Sequence, residues 1–122
     1  MEQVQMYSHS PVKASNIVGV SVVNRANESL GDIKEIVIDT HSGKVAYAVV
    51  AFGGFLGMGE KLFAVPFGSL KYDVVESNYQ LDMSKERLQE APGFDPDSWP
   101  QMDQEQWNRD VYKFYNSVPY WQ

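Results

Sequence analysis

The stretch Lys44–Gly53, "KVAYAVVAFG", constrains the fold more than any other. It is rich in β-branched and aromatic residues, and both of its alternating faces are apolar. Val45, Tyr47, Val49 and Ala51 fall on one face, and Ala46, Ala48, Val50 and Phe52 on the other. A strand with one wet face alternates polar with apolar residues, so this strand needs cover on both sides. The cover must come from the rest of the chain or from a second copy.

Short runs of the same character flank it. "NIVGVSVV" (16–23), "LGDIKEIVID" (30–39), "KLFAVPF" (61–67), "SLKYDVVE" (69–76) and "NYQLDM" (78–83) read as strands, separated by turn signals such as "NRANES" and "THSG". About six short strands predict a mainly β protein, a small closed barrel whose closure removes exposed edges. Residues 1–14 are polar and aperiodic and read as an arm, 15–83 form the barrel, and 84–122 form a helical extension with an aromatic tail. In that extension Ser84 is placed to cap a short helix ended by Pro92 and Gly93, and Met83 with Leu88 has hydrophobic-staple spacing. Asp103 and Gln106 have capping-box spacing for a helix over 104–116, with Trp107, Val111, Phe114 and Val118 as its apolar stripe. "FDPDSWPQM" reads as a loop.

The glycine-rich stretch "VVAFGGFLGMGEKLFAVPF" (49–67) invites a phosphate-binding reading. A phosphate loop needs Lys-Ser/Thr after its glycines and a helix behind them. Here Glu60-Lys61-Leu62 leads into strand-like residues, so the glycines are read as a turn or bulge between strands. The apolar tip, Phe55, Leu56 and Met58, either folds back on the barrel or contacts another chain.

At 122 residues the chain is one domain by length, and 43% apolar with 21% charged residues fits a folded protein. Its net charge is −6. Residues 82–110 hold eight acids against Lys85, Arg87 and Arg109, a local net of −5. Nucleic acid is therefore not an expected partner, because its recognition depends on lysine and arginine neutralising phosphates. The chain has no cysteine, which removes disulfides, thiolate metal sites and cysteine nucleophiles. No run is long and apolar enough to span a bilayer, and the N-terminus does not read as a signal peptide, so a cytoplasmic location is expected. Asp39 and His41 in "DTHSG" could offer two metal ligands, or act as ordinary turn formers. Asp95 and Asp97 lack the spacing of a calcium loop, and no catalytic constellation is present. No cofactor, metal site or catalytic residue is assigned.

The order of motifs carries a resemblance. Gly19-Val20 precedes a turn, Glu28-x-Leu30-Gly31-x-Ile33 leads to Ile38-Asp39, and Phe63-Ala64-Val65-Pro66-Phe67 leads to Leu70. Over about residues 15–90 this resembles a PRC-barrel domain, the small β-barrel of the photosynthetic reaction-centre H subunit, of RimM and of stand-alone bacterial proteins. The resemblance implies a binding and assembly domain, not an enzyme. The H subunit's membrane anchor and RimM's RNA-related N-terminal domain have no counterpart before residue 15, so neither role is carried over, nor is any functional residue. The expected function is a non-enzymatic protein-interaction module that self-associates, most simply as a dimer. The expected contacts are Phe55, Leu56, Met58, Trp107, Tyr120 and Trp121. The alternatives are a small-ligand or metal-binding barrel, or a scaffold at a photosynthetic or other membrane complex.

Overall fold

The computed structural model describes residues 10–53 and 59–122. Seven strands form one sheet: β1 (Ser21–Val23), β2 (Ser29–Ile38), β3 (Val45–Gly53), β4 (Glu60–Pro66), β5 (Leu70–Asp73), β6 (Asn78–Leu81) and β7 (Gly93–Phe94). Their order is β5-β6-β1-β2-β3-β4-β7. Two α-helices follow β6, α1 (Lys85–Gln89) and α2 (Glu105–Phe114). Six of the strands lie where the sequence places them. The seventh, β7, was read as part of a loop; two residues carry no periodicity, and Phe94 is held by pairing with Leu62 of β4. β7 also joins a piece of the C-terminal extension to the sheet. Among the described residues no helix is long and apolar enough to cross a membrane.

One short connection bends this sheet. A 3-10 turn of three residues, Phe67–Ser69, links β4 to β5, yet the two strands stand five places apart in the order. In a flat sheet that separation is about 24 Å at ~4.8 Å per strand. Four peptide steps from Pro66 to Leu70 reach at most about 14 Å. The strands also run in the same sense through the ladder, since four of the five pairings between them are antiparallel and only β1–β6 is parallel. Such a relation normally takes a crossover of a dozen or more residues. The sheet therefore coils until β5 begins near where β4 stops. Pro66 ends β4 at this corner, where a missing amide donor costs the ladder least. The expectation of a closed barrel is met only as far as this coiling: the described sheet is not closed by hydrogen bonds, and its ladder ends at β5 and at β7.

Coiling creates one interior. Val22, Leu30, Ile33, Phe63, Val65 and Leu81 fill it, joined by Leu88 of α1. Ser84 caps α1 as expected, its Oγ accepting from the Arg87 amide at 3.0 Å. Asn24, the buried polar residue of the β1–β2 turn, accepts from the Ala26 and Glu28 amides and donates to the Met83 carbonyl at 3.2 Å. It thereby ties the first hairpin to the entrance of α1.

Opposite Val22 and Val23, β2 carries an extra residue: Gly31 pairs with Val22 and Ser29 with Val23, so Leu30 is passed over. At this bulge Gly31 adopts φ +121°, and a Cβ there would lie 2.1 Å from the Ala51 carbonyl oxygen. Neither the conformation nor the space admits a side chain. Gly31→Ala is expected to destabilise the fold by at least about 2 kcal/mol in urea unfolding; a loss under about 0.5 kcal/mol would contradict this packing.

Candidate functional site

The outer face of β3 is where the C-terminal extension docks, and a second bulge prepares it. Val37 pairs with Tyr47 and Ile38 with Val45, which leaves Ala46 unpaired in the β2–β3 ladder. On the other side the β3–β4 ladder stops at Tyr47 and Pro66. Ala46 is thus buried and passed over by β2, and its carbonyl keeps a lone pair beyond the β3–β4 ladder bond. The Tyr112 hydroxyl of α2 donates to it at 2.6 Å. Beside this bond the Tyr47 hydroxyl donates to Asn108 Oδ1. Asn108 Nδ2 in turn donates to the Met102 and Gln104 carbonyls at 2.9 and 2.8 Å, fixing the start of α2.

Rings close around these bonds. Tyr47 packs edge-on against Trp107 and Tyr112, with centroids 5.3 and 5.4 Å away. Tyr112 carries Tyr120 and Trp121 at 5.9 and 5.0 Å. Arg87 of α1 lies 3.9 Å over the Phe114 ring and joins the two helices. The cover required by the two apolar faces of β3 is this chain's own extension.

The tail is then latched to the β2–β3 turn. The Tyr120 hydroxyl donates to Asp39 Oδ2 at 2.5 Å, and Lys44 Nζ donates to the Tyr120 carbonyl at 3.2 Å. Asp39 Oδ1 accepts from the His41 and Ser42 amides, the role of a turn former. The Tyr120 hydroxyl, then the His41 amide, hold the Asp39 carboxyl below its ordinary value. Burial, then the bond to Asp39, pushes the Tyr120 phenol up to about 12. Burial also raises the phenols of Tyr47, Tyr112 and Tyr115.

Between turn and extension lies a cavity of about 370 Å³, lined by Ile38, Asp39, Tyr47, Asp103, Asn108 and Tyr120 among others. Ile38 (47% exposed) leaves an apolar rim beside its acids, and Trp121 (40% exposed) packs on Tyr112 and Tyr120. Among the described residues no group of three or more His, Cys, Asp or Glu side chains could hold a metal ion.

Of the expected contact residues, Trp107, Tyr120 and Trp121 are brought together in this cluster. Phe55, Leu56 and Met58 lie outside the described residues. The pairing of β3 with β4 extends to Gly53 and Glu60, so the glycine-rich stretch joins two antiparallel strands, and no helix follows it. Two expectations for the extension need correction. The N-cap of α2 is Gln104, without a side-chain bond, and not Asp103 of the capping box. Trp107, Val111 and Phe114 pack against the core as expected, but Val118 lies beyond the helix and is exposed, and Tyr112 and Tyr115 are buried beside Val111. Extending the stripe to Val118 passed over Tyr112, whose side chain widens the buried face. Asn108 and the latch role of Asp39 were missed as well. Their signal was weak, since a helix Asn and a turn Asp are common without tertiary partners.

The PRC-barrel domain profile matches residues 11–88, more than half of the chain. No curated protein matches. Among solved structures, similarity is found to one from Pseudomonas aeruginosa described as a 16S ribosomal RNA processing protein, RimM. The two are 18% identical with a TM-score of 0.41, over 66% of this chain and 49% of that one. This chain thus spans about half the length of that structure.

Tyr112→Phe keeps the ring but removes the hydroxyl bond to the Ala46 carbonyl, and a loss of about 0.5–1.5 kcal/mol in chemical denaturation is expected; no loss would mean the bond is idle. The latch has a pH window. Asp39 is depressed in the folded state, so its contribution is full above its ordinary 3.8 and fades as pH falls below that. Tyr120 is raised, so its contribution is full below its ordinary 10.0 and fades as pH climbs through about 12. Tryptophan fluorescence should change at both ends, and Asp39→Asn should abolish the acid change attributable to the latch. An acid change identical in wild type and Asp39→Asn would refute that assignment.

Proposed function

The chain belongs to the PRC-barrel domain family, and on that premise we propose that it is a non-enzymatic protein-interaction and assembly module that associates with itself and with a protein partner. The family core, residues 11–88, supplies the coiled sheet, and the extension beyond it builds the contact face. The observation that carries this reading is the half-open face at the cavity. Ile38 stays exposed at the cavity beside Asp39 and Asp103, and Trp121 stays exposed although it packs on Tyr112 and Tyr120. Aromatic anchors with an acidic rim suit a protein segment that combines basic and apolar side chains. Coiling of the sheet towards a barrel belongs to this reading, supported by the three-residue corner between β4 and β5, with the β5 edge left open. So do a cytoplasmic location and the exclusion of nucleic acid, the latter supported by the net charge of −6.

The cavity favours a second reading, a small polar ligand held by Asp39, Thr40, Asp103, Asn108 and the tyrosine hydroxyls, since about 370 Å³ lies within the usual size range of ligand sites. A ligand of that kind would raise the melting temperature in a screen. The two readings part in one experiment. Wild type, Ile38→Asp and Trp121→Ala are compared as baits in parallel pull-downs from the native source, with circular dichroism as the folding control. Proteins retained by wild type and lost from both folded variants are expected; identical retained sets would contradict the contact face.

A further inference from the structure

We propose that β5 is a self-complementary edge through which two copies of this chain pair, in an antiparallel two-fold register centred on Tyr72. The inference rests on the self-association in the functional reading and names its surface. Among the described residues β5 ends the sheet and is hydrogen-bonded only to β6. Its inward row is apolar: Leu70 is buried, but Tyr72 remains 51% exposed although its ring packs 5.1 Å from Tyr79. Val74 and Val75, just past the strand, are 79% and 88% exposed. A further strand along β5 would cover this row.

The outward row decides what that strand is. Lys71 and Asp73 occupy it, and Lys71 takes part in none of the ion pairs among the described residues. A lysine on an edge strand usually blocks pairing. Here the block fails in one arrangement. With Tyr72 opposite Tyr72 of a second copy, Lys71 of each copy stands opposite Asp73 of the other, and Leu70 opposite Val74. Residues directly opposite in an antiparallel pair share a face, so two ion pairs form outside while the apolar rows meet inside. A shift of one residue sets apolar against charged residues, and in-register parallel pairing sets Lys71 beside Lys71. Asp73 Oδ1 accepts from the Val75 and Glu76 amides and Oδ2 from Gln80, which leaves Oδ2 a lone pair for a lysine opposite. The charges thus select a second copy of this chain in a single register.

The absence of cysteine makes the test direct. Light scattering of the full chain over rising concentration is expected to give twice the monomer mass. In the Tyr72→Cys variant the two cysteines should face each other across the axis at a separation a disulfide can bridge. Under mild oxidation Tyr72→Cys should form interchain disulfides at least tenfold faster than Lys71→Cys or Glu76→Cys. Lys71→Glu, which opposes Asp73 with a like charge, should weaken the dimer at least tenfold with an unchanged circular dichroism melt. A dimer whose Tyr72→Cys crosslinks no faster than the controls, or that ignores Lys71→Glu, would overturn the β5 register and leave self-association standing. A monomer at every concentration would overturn both.

Discussion

A strand apolar on both faces has to be covered twice, and β3 forces this condition on the whole molecule. The three-residue corner at Phe67–Ser69 meets half of it, coiling the sheet so that one face of β3 looks into a closed-in core. The other half falls to the C-terminal extension. A hydrophobic stripe alone can slide along a sheet, but the passed-over Ala46 carbonyl gives α2 a polar address that the Tyr112 hydroxyl occupies. Burial of large side chains supplies the driving force, about 1.5–3 kcal/mol each, and the hydrogen bond sets the position.

Two of the three bulges divide the labour of the sheet. The one at Leu30-Gly31 lets the first hairpin press against β3, with a glycine where the Ala51 carbonyl leaves no room. The one at Ala46 opens the ladder toward α2. Both are single extra residues, and each converts a local irregularity into a tertiary contact. The tail then adds a polar latch at Asp39, so the aromatic cluster is held at both ends.

Much of this was legible in the sequence. The two apolar faces of 44–53 demanded an outer cover and pointed to the extension, and β-branched runs located six strands. The residues that set the geometry were harder to see. Ala46 looks like any small strand residue, since its bulge comes from register with β2. Tyr112 was left out of a stripe that ran on to Val118, because the helix ends before Val118 and its buried face is wider than one row. β7 is too short to carry a pattern at all. Of the candidate site, the aromatics of the extension were visible as types, while their partners Tyr47, Asn108 and Asp39 needed the fold.

The central claim is that α2 is part of the same cooperative structure as the strand it covers. Native-state hydrogen exchange of β3 and α2 amides measures this most directly. Matching opening free energies for the most protected amides of both elements are predicted. Weak protection throughout α2 beside a β3 that opens only on global unfolding would contradict the account.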